Sequence, residues 1–162
     1  MGSSADKIMK KYVKERNTLF PELKVEKSVW HSKINDGWRN VPRGIVFIMN
    51  IMDNLCTGSP PSKVYLTLWQ RSYESYYLKE LNISSLALES GHTGQRAEST
   101  FKKKLALLKE LGFILEKNNF SAMALPNPYL AVKKLHDEGR VSEELWTGLI
   151  MRMSDIGEES FS

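Results

Sequence analysis

The chain has 162 residues, a formal net charge of +4 and a sequence pI near 9.1. That length suits one domain, or one domain with helical extensions, and is enough to bury a core without staples. Its single cysteine, Cys56, excludes an intrachain disulfide and a thiolate metal cluster and points to a reducing compartment.

The mild positive charge favours an anionic partner without demanding one. No apolar run reaches the length of a membrane span; the greasiest segment, Ile45 to Met52, is closed by Asn50 and Asp53. The first residues carry no apolar h-region, and Asp6 stands where a myristoylation motif needs Ser or Thr. The expectation is a cytoplasmic protein with no membrane association.

Residues 1–20 read as a basic helix or arm. Ala5 to Asn17 is lysine-rich, with Ile8, Met9, Tyr12 and Val13 as its few apolar residues, and Phe20-Pro21 ends it. One domain is then expected over 25–157, followed by an acidic tail at 158–162. Val29-Trp30 and Ile34 are its first apolar anchors, and Asn35-Asp36-Gly37 is a turn signal. Val41-Pro42-Arg43 opens a largely buried helix through Leu55. Thr57 to Pro61 breaks the chain, and Ser62 suits the N-cap of a helix running to about Tyr76. Leu66, Trp69, Tyr73 and Tyr76 or Tyr77 recur there at helical spacing.

Tyr77 to Leu81 can straighten into a short strand. Ser84 or Ser85 then caps a short helix that Gly91 ends. A long helix starts at Thr93 or Gly94. Phe113 to Glu116 and Ser121 to Leu125 have strand character, with Asn118-Asn119 between them as a turn. Asn127-Pro128 caps a helix ended by Gly139, and Ser142 opens a last helix ending near Gly157.

The long helix has two distinct sides. At 100° per residue, Ala97, Phe101, Leu105, Leu108 and Gly112 fall within about 80°. Arg96, Ser99, Lys103, Ala106 and Glu110 lie opposite, with Gln95 and Lys102 on the border. Arg, Gln, Ser and Lys are the residue types that read base edges and hold phosphates. Thr93 and Gly94 would place free backbone N–H groups at the helix start, where a phosphate can bind.

The segment 84–125 resembles a winged helix-turn-helix of the kind found in bacterial regulators and plasmid replication proteins. The residues that carry the resemblance are Leu86-Ala87-Leu88-Glu89-Ser90-Gly91, Thr93-Gly94 in the turn, Phe101 and Leu105 in the core, and Leu108-Leu111-Gly112-Phe113-Ile114 leading into the wing. With residues 62–77 as a first helix, the unit spans about 62–126. The resemblance implies DNA binding with Gln95, Arg96, Ser99 and Lys103 as recognition residues; Thr93, Gly94 and Lys102 complete the expected double-stranded DNA interface, with Lys117 on the wing touching the flanking backbone. It also implies a homodimer on paired half-sites, and the apolar residues of the last helix are the candidate dimer surface.

His31, His92 and His136 lack metal-ligand spacing, and Gly91-His92-Thr93-Gly94 lacks the Lys-Ser/Thr of a phosphate loop. No nucleophile elbow or Cys–His arrangement stands out. Neither enzyme activity, a cofactor nor a metal is expected. The fold expected is mainly α with a small β hairpin: a winged helix-turn-helix core with additional N- and C-terminal helices. The function expected is sequence-specific DNA binding in regulating transcription, replication or partition. The alternative is a winged-helix module that docks proteins and binds no DNA.

Overall fold

The computed structural model describes residues 3–25, 28–31, 35, 37–72 and 75–158. The fold is mainly helical with a small antiparallel sheet. It divides into two compact units, Met1–Asn40 and Val41–Ser162.

The first unit is built on α1, Ser4–Leu19. Ser3 and Asp6 close a capping box: the Asp6 carboxylate accepts the Ser3 N–H at 2.9 Å and the Ser3 hydroxyl accepts the Asp6 N–H at 3.3 Å. Pro21 cannot continue the helix, and a 3-10 turn over Pro21–Lys24 follows. No residue of α1 is buried. Val29 and Trp30, expected as anchors, are exposed. Ile34 and Asp36 lie outside the described residues, so the expected turn is visible only in the positive φ of Gly37, +77°.

The second unit opens with α2, Ile45–Leu55, two residues later than Pro42-Arg43 suggested. Ile45, Ile48, Ile51 and Met52 are buried, while Val46 is exposed. Ser62 does not cap α3, Ser62–Arg71; it is already the first helical residue. Asp53 of α2 takes that role across the chain break, accepting the Ser62 N–H at 3.0 Å and its hydroxyl at 2.6 Å. The buried stripe of α3 is Val64, Tyr65, Leu68 and Trp69, and Leu66 is only half-buried. Adjacent pairs four apart give a broader apolar face than Leu66 and Trp69 could. The helix stops at Arg71 because the Ser72 backbone turns extended and its hydroxyl bonds the Trp69 carbonyl at 2.9 Å. Tyr73 lies outside the described residues.

The expected hairpin gains a third strand. β1 (Tyr77–Lys79), β2 (Leu115–Lys117) and β3 (Ala122–Ala124) form one antiparallel sheet in the order β1-β3-β2. Leu78 pairs with Met123, and both are buried. Between β1 and β2 run α4, Ile83–Glu89, and α5, Ala97–Glu110, which pack on each other and on α3. After the sheet come α6, Pro128–Asp137, and α7, Glu143–Ile156. Their caps are those the sequence signals: Asn127, Ser142, and Gly157 in the left-handed conformation. Both helices pack on α2, and Leu149 and Met153 of α7 are buried.

Candidate nucleic-acid interface

Three short-range devices set the angle between α4 and α5. Asn82, rather than Ser84 or Ser85, caps α4, its side chain accepting the Ser85 N–H at 2.9 Å. Gly91 ends α4 at φ +89°, and the His92 N–H returns to the Ala87 carbonyl at 2.9 Å. This six-to-one bond closes the helix end and aims the chain at α5. Gly94 then turns at φ +80°, a conformation strained for any residue with a side chain.

α5 begins three to four residues later than expected. Arg96 is its N-cap, and the Ala97 N–H bonds the Gly94 carbonyl at 3.2 Å. Thr93, Gly94, Gln95 and Arg96 therefore belong to the turn, where all four are exposed. The reason is Gly94 itself: its positive φ interrupts the helical path, so the helix can only start after it.

The buried stripe of α5 is Phe101, Leu105 and Leu108, as its periodicity predicts. Ser99, Lys102, Lys103 and Ala106 make the exposed face, with Lys102 at its edge. Arg96, Lys102 and Lys103 form no ion pair among the described residues. The Ser99 hydroxyl is turned back to the Arg96 carbonyl at 3.0 Å, a bond a base edge would have to replace.

Two residues of this region lie outside the expected DNA-contact set. Glu98, in the first turn of α5, accepts a hydrogen bond from the Ser84 hydroxyl. A carboxylate already placed there competes with a phosphate for the helix N-terminus. Leu88 of α4 is 65% exposed. Together with Thr93, Gln95, Glu98, Ser99 and Lys102 these residues line a shallow depression of about 570 Å³. A helical wheel drawn for one helix cannot place Ser84 or Leu88 beside α5.

His92 is half-buried rather than a plain exposed turn residue. Its ring meets Phe101 edge-on with centroids 6.2 Å apart, and its Nδ1 lies 3.0 Å from the Ser90 hydroxyl. Burial, with the charge of Lys104 beside it, lowers its pKa below the usual histidine value.

The hairpin adds a second group of cations. Lys117 of β2 and Lys79 of β1 both pair with Ala122 of the central strand, so they share one exposed row of the sheet. Lys79 is absent from the expected set because strand pairing across more than 30 residues brings it there. The hairpin tip is fixed from below. Glu116 accepts the Lys109 ammonium at 2.6 Å and the Phe120 N–H at 3.0 Å, which hold its carboxyl below the usual range. Asn118, Asn119 and Phe120 all have positive φ, so the tip turns sharply.

Among the described residues, no group of three His, Cys, Asp or Glu could hold a metal ion. Compared with protein-family models, with curated proteins and with solved structures, the chain matches none of them.

Proposed function

We propose that residues 62–125 form a winged helix-turn-helix that binds double-stranded DNA in a sequence-specific way, as a regulator of transcription, replication or partition. The carrying observation is the exposed face of α5: Ser99, Lys102, Lys103 and the small Ala106 lie opposite a fully buried apolar stripe, and the two lysines are held by no carboxylate among the described residues. The order helix, strand, helix, helix and two further strands, with the sheet order β1-β3-β2, supports the same reading. In it, Lys102 and Lys103 neutralise phosphates as α5 enters the major groove. Arg96 and Gln95 reach base edges from the turn. Lys117 and Lys79 meet the flanking backbone. A two-fold dimer would present two such helices to paired half-sites.

Selection from random duplexes tests the class directly, and it should enrich one short motif. On that motif, Lys102→Ala combined with Lys103→Ala should weaken binding and flatten the slope of log affinity against log salt by roughly two units. Failure to enrich any motif, with equal weak binding of wild type and variant, would remove α5 from a DNA interface.

A protein-docking role is the second reading. It is favoured by Leu88 and by Glu98, which put an apolar and an acidic group on the same exposed depression. A Leu88→Ala variant that keeps full duplex affinity but loses a captured protein would favour it.

A further inference from the structure

α1 has a surface that the DNA reading leaves unexplained. Placed on a wheel at 100° per residue, Ile8, Leu19, Tyr12, Met9 and Val13 cover an arc of about 140°. Lys7, Lys10, Lys11 and Lys14 fill an arc of about 100° on the other side. The apolar face is open: Ile8 is 52% exposed, Met9 64% and Tyr12 63%. Phe20, just past the helix end, is exposed as well. Arg16 falls inside the apolar arc, but its guanidinium is turned aside to donate to the Asn17 side-chain oxygen Oδ1 at 2.8–3.0 Å. The capping box keeps the helix formed without burying any side chain.

We propose that α1 lies flat on an anionic lipid bilayer, with its Ile8–Met9–Tyr12–Val13–Leu19 face among the acyl chains and its lysines reaching the headgroup phosphates. The argument is charge complementarity on a helix whose two faces both need a partner. A DNA backbone would satisfy the lysines and leave five large apolar side chains in water. A second copy of α1 would cover the apolar face and leave the lysines unmatched. An anionic bilayer satisfies both at once, because long lysine stems span from the helix to the headgroup layer. Among the described residues no helix is long and apolar enough to cross a membrane, and none needs to. The sequence-based expectation of no membrane association rests on a missing span, a missing h-region and an incomplete myristoylation motif, none of which bears on a helix lying in the interface.

The test is co-sedimentation of the full chain with phosphatidylcholine vesicles containing about thirty per cent phosphatidylglycerol, against vesicles of phosphatidylcholine alone. Binding should occur on the anionic vesicles and fall steeply with salt. Each lysine near such a surface is worth about fivefold in affinity, so Lys10→Glu with Lys14→Glu should cost at least twenty-fivefold or so. Met9→Ser with Tyr12→Ser should cost at least about tenfold with every lysine in place. Neither pair includes a buried residue, so an unchanged melting curve should accompany both losses. Three results would overturn the proposal. One is no binding to the anionic vesicles. Another is full binding by the Met9→Ser, Tyr12→Ser variant, which would mean lysine electrostatics alone. The last is a lipid-free dimer in ultracentrifugation that this variant dissolves, which would make a second copy the occupant.

Discussion

Two lysine-rich helices of this chain, α1 and α5, share a plan and differ in what covers it. α5 turns Phe101, Leu105 and Leu108 into a core shared with α3 and α4, and leaves Lys102 and Lys103 outside. α1 carries an apolar stripe and a lysine face of similar design, yet none of its residues is buried. Periodicity reports that a stripe exists and is silent on what meets it. The neighbours decide. α5 is entered through a tight turn from α4 and left through Phe113 and Ile114, both fully buried, so its partners come from nearby chain. α1 runs into Pro21 and an exposed segment, so its stripe stays free for a partner that is not local chain.

Truncating one aromatic in each helix is the harshest way to break this comparison. Phe101→Ala should destabilise the fold by about 3–5 kcal/mol, a large part of the stability of a domain this size. Tyr12→Ala should stay within about 0.5 kcal/mol. Denaturant titration of the full chain reads both. Similar losses for the two would mean that α1 is packed as α5 is, and the proposed lipid face would go with it.

A smaller effect sharpens how α5 is aimed. Asn82→Ala removes the cap of α4 and should cost about 1 kcal/mol. Because α4 packs on α5, the loss should appear in the global unfolding transition. Ser3→Ala breaks the capping box of α1 and should lower helical content while leaving that transition in place. A shared shift of the main transition by both variants would show that the two helices are not energetically separate.

These caps also mark where reading the chain succeeds and where it stops. Asn127, Ser142 and Gly157 stand alone at their helix ends, and the structure uses each of them as its residue type implies. Around α4, three cap-capable residues crowd together, and Asn82 takes the role ahead of Ser84 and Ser85. At α3, Asp53 reaches across from α2, which no local pattern announces. The buried stripe of α5 was legible because one face of one helix fixes it. Its start was not, because Gly94 at positive φ ends the helical path before Gln95. The basic residues of the candidate interface were legible as residue types. Their setting was not: Lys79 joins Lys117 through strand pairing, and Glu98 meets Ser84 from another helix.

The smallest effect concerns His92, which links the turn to the core of α5. Burial is the first cause of its lowered pKa, with the Lys104 charge next, so the folded state resists protonation there. In the unfolded chain the ring titrates near the ordinary value of 6.5. Between the two values the unfolded state binds more protons, and stability therefore rises with pH. The contribution should be complete above about pH 6.5, decline as pH falls below it, and level off once pH passes under the folded-state value. His92→Gln should flatten that part of the stability curve while the carboxylate-driven loss at lower pH persists. Charging the ring also disturbs its contact with Phe101, so the change should register in the same residues that fix the face of α5. Chemical denaturation at closely spaced pH values, wild type against variant, checks this. Parallel curves through the window would mean that His92 is as well solvated folded as unfolded, and that the turn is looser on its core than its ring geometry implies.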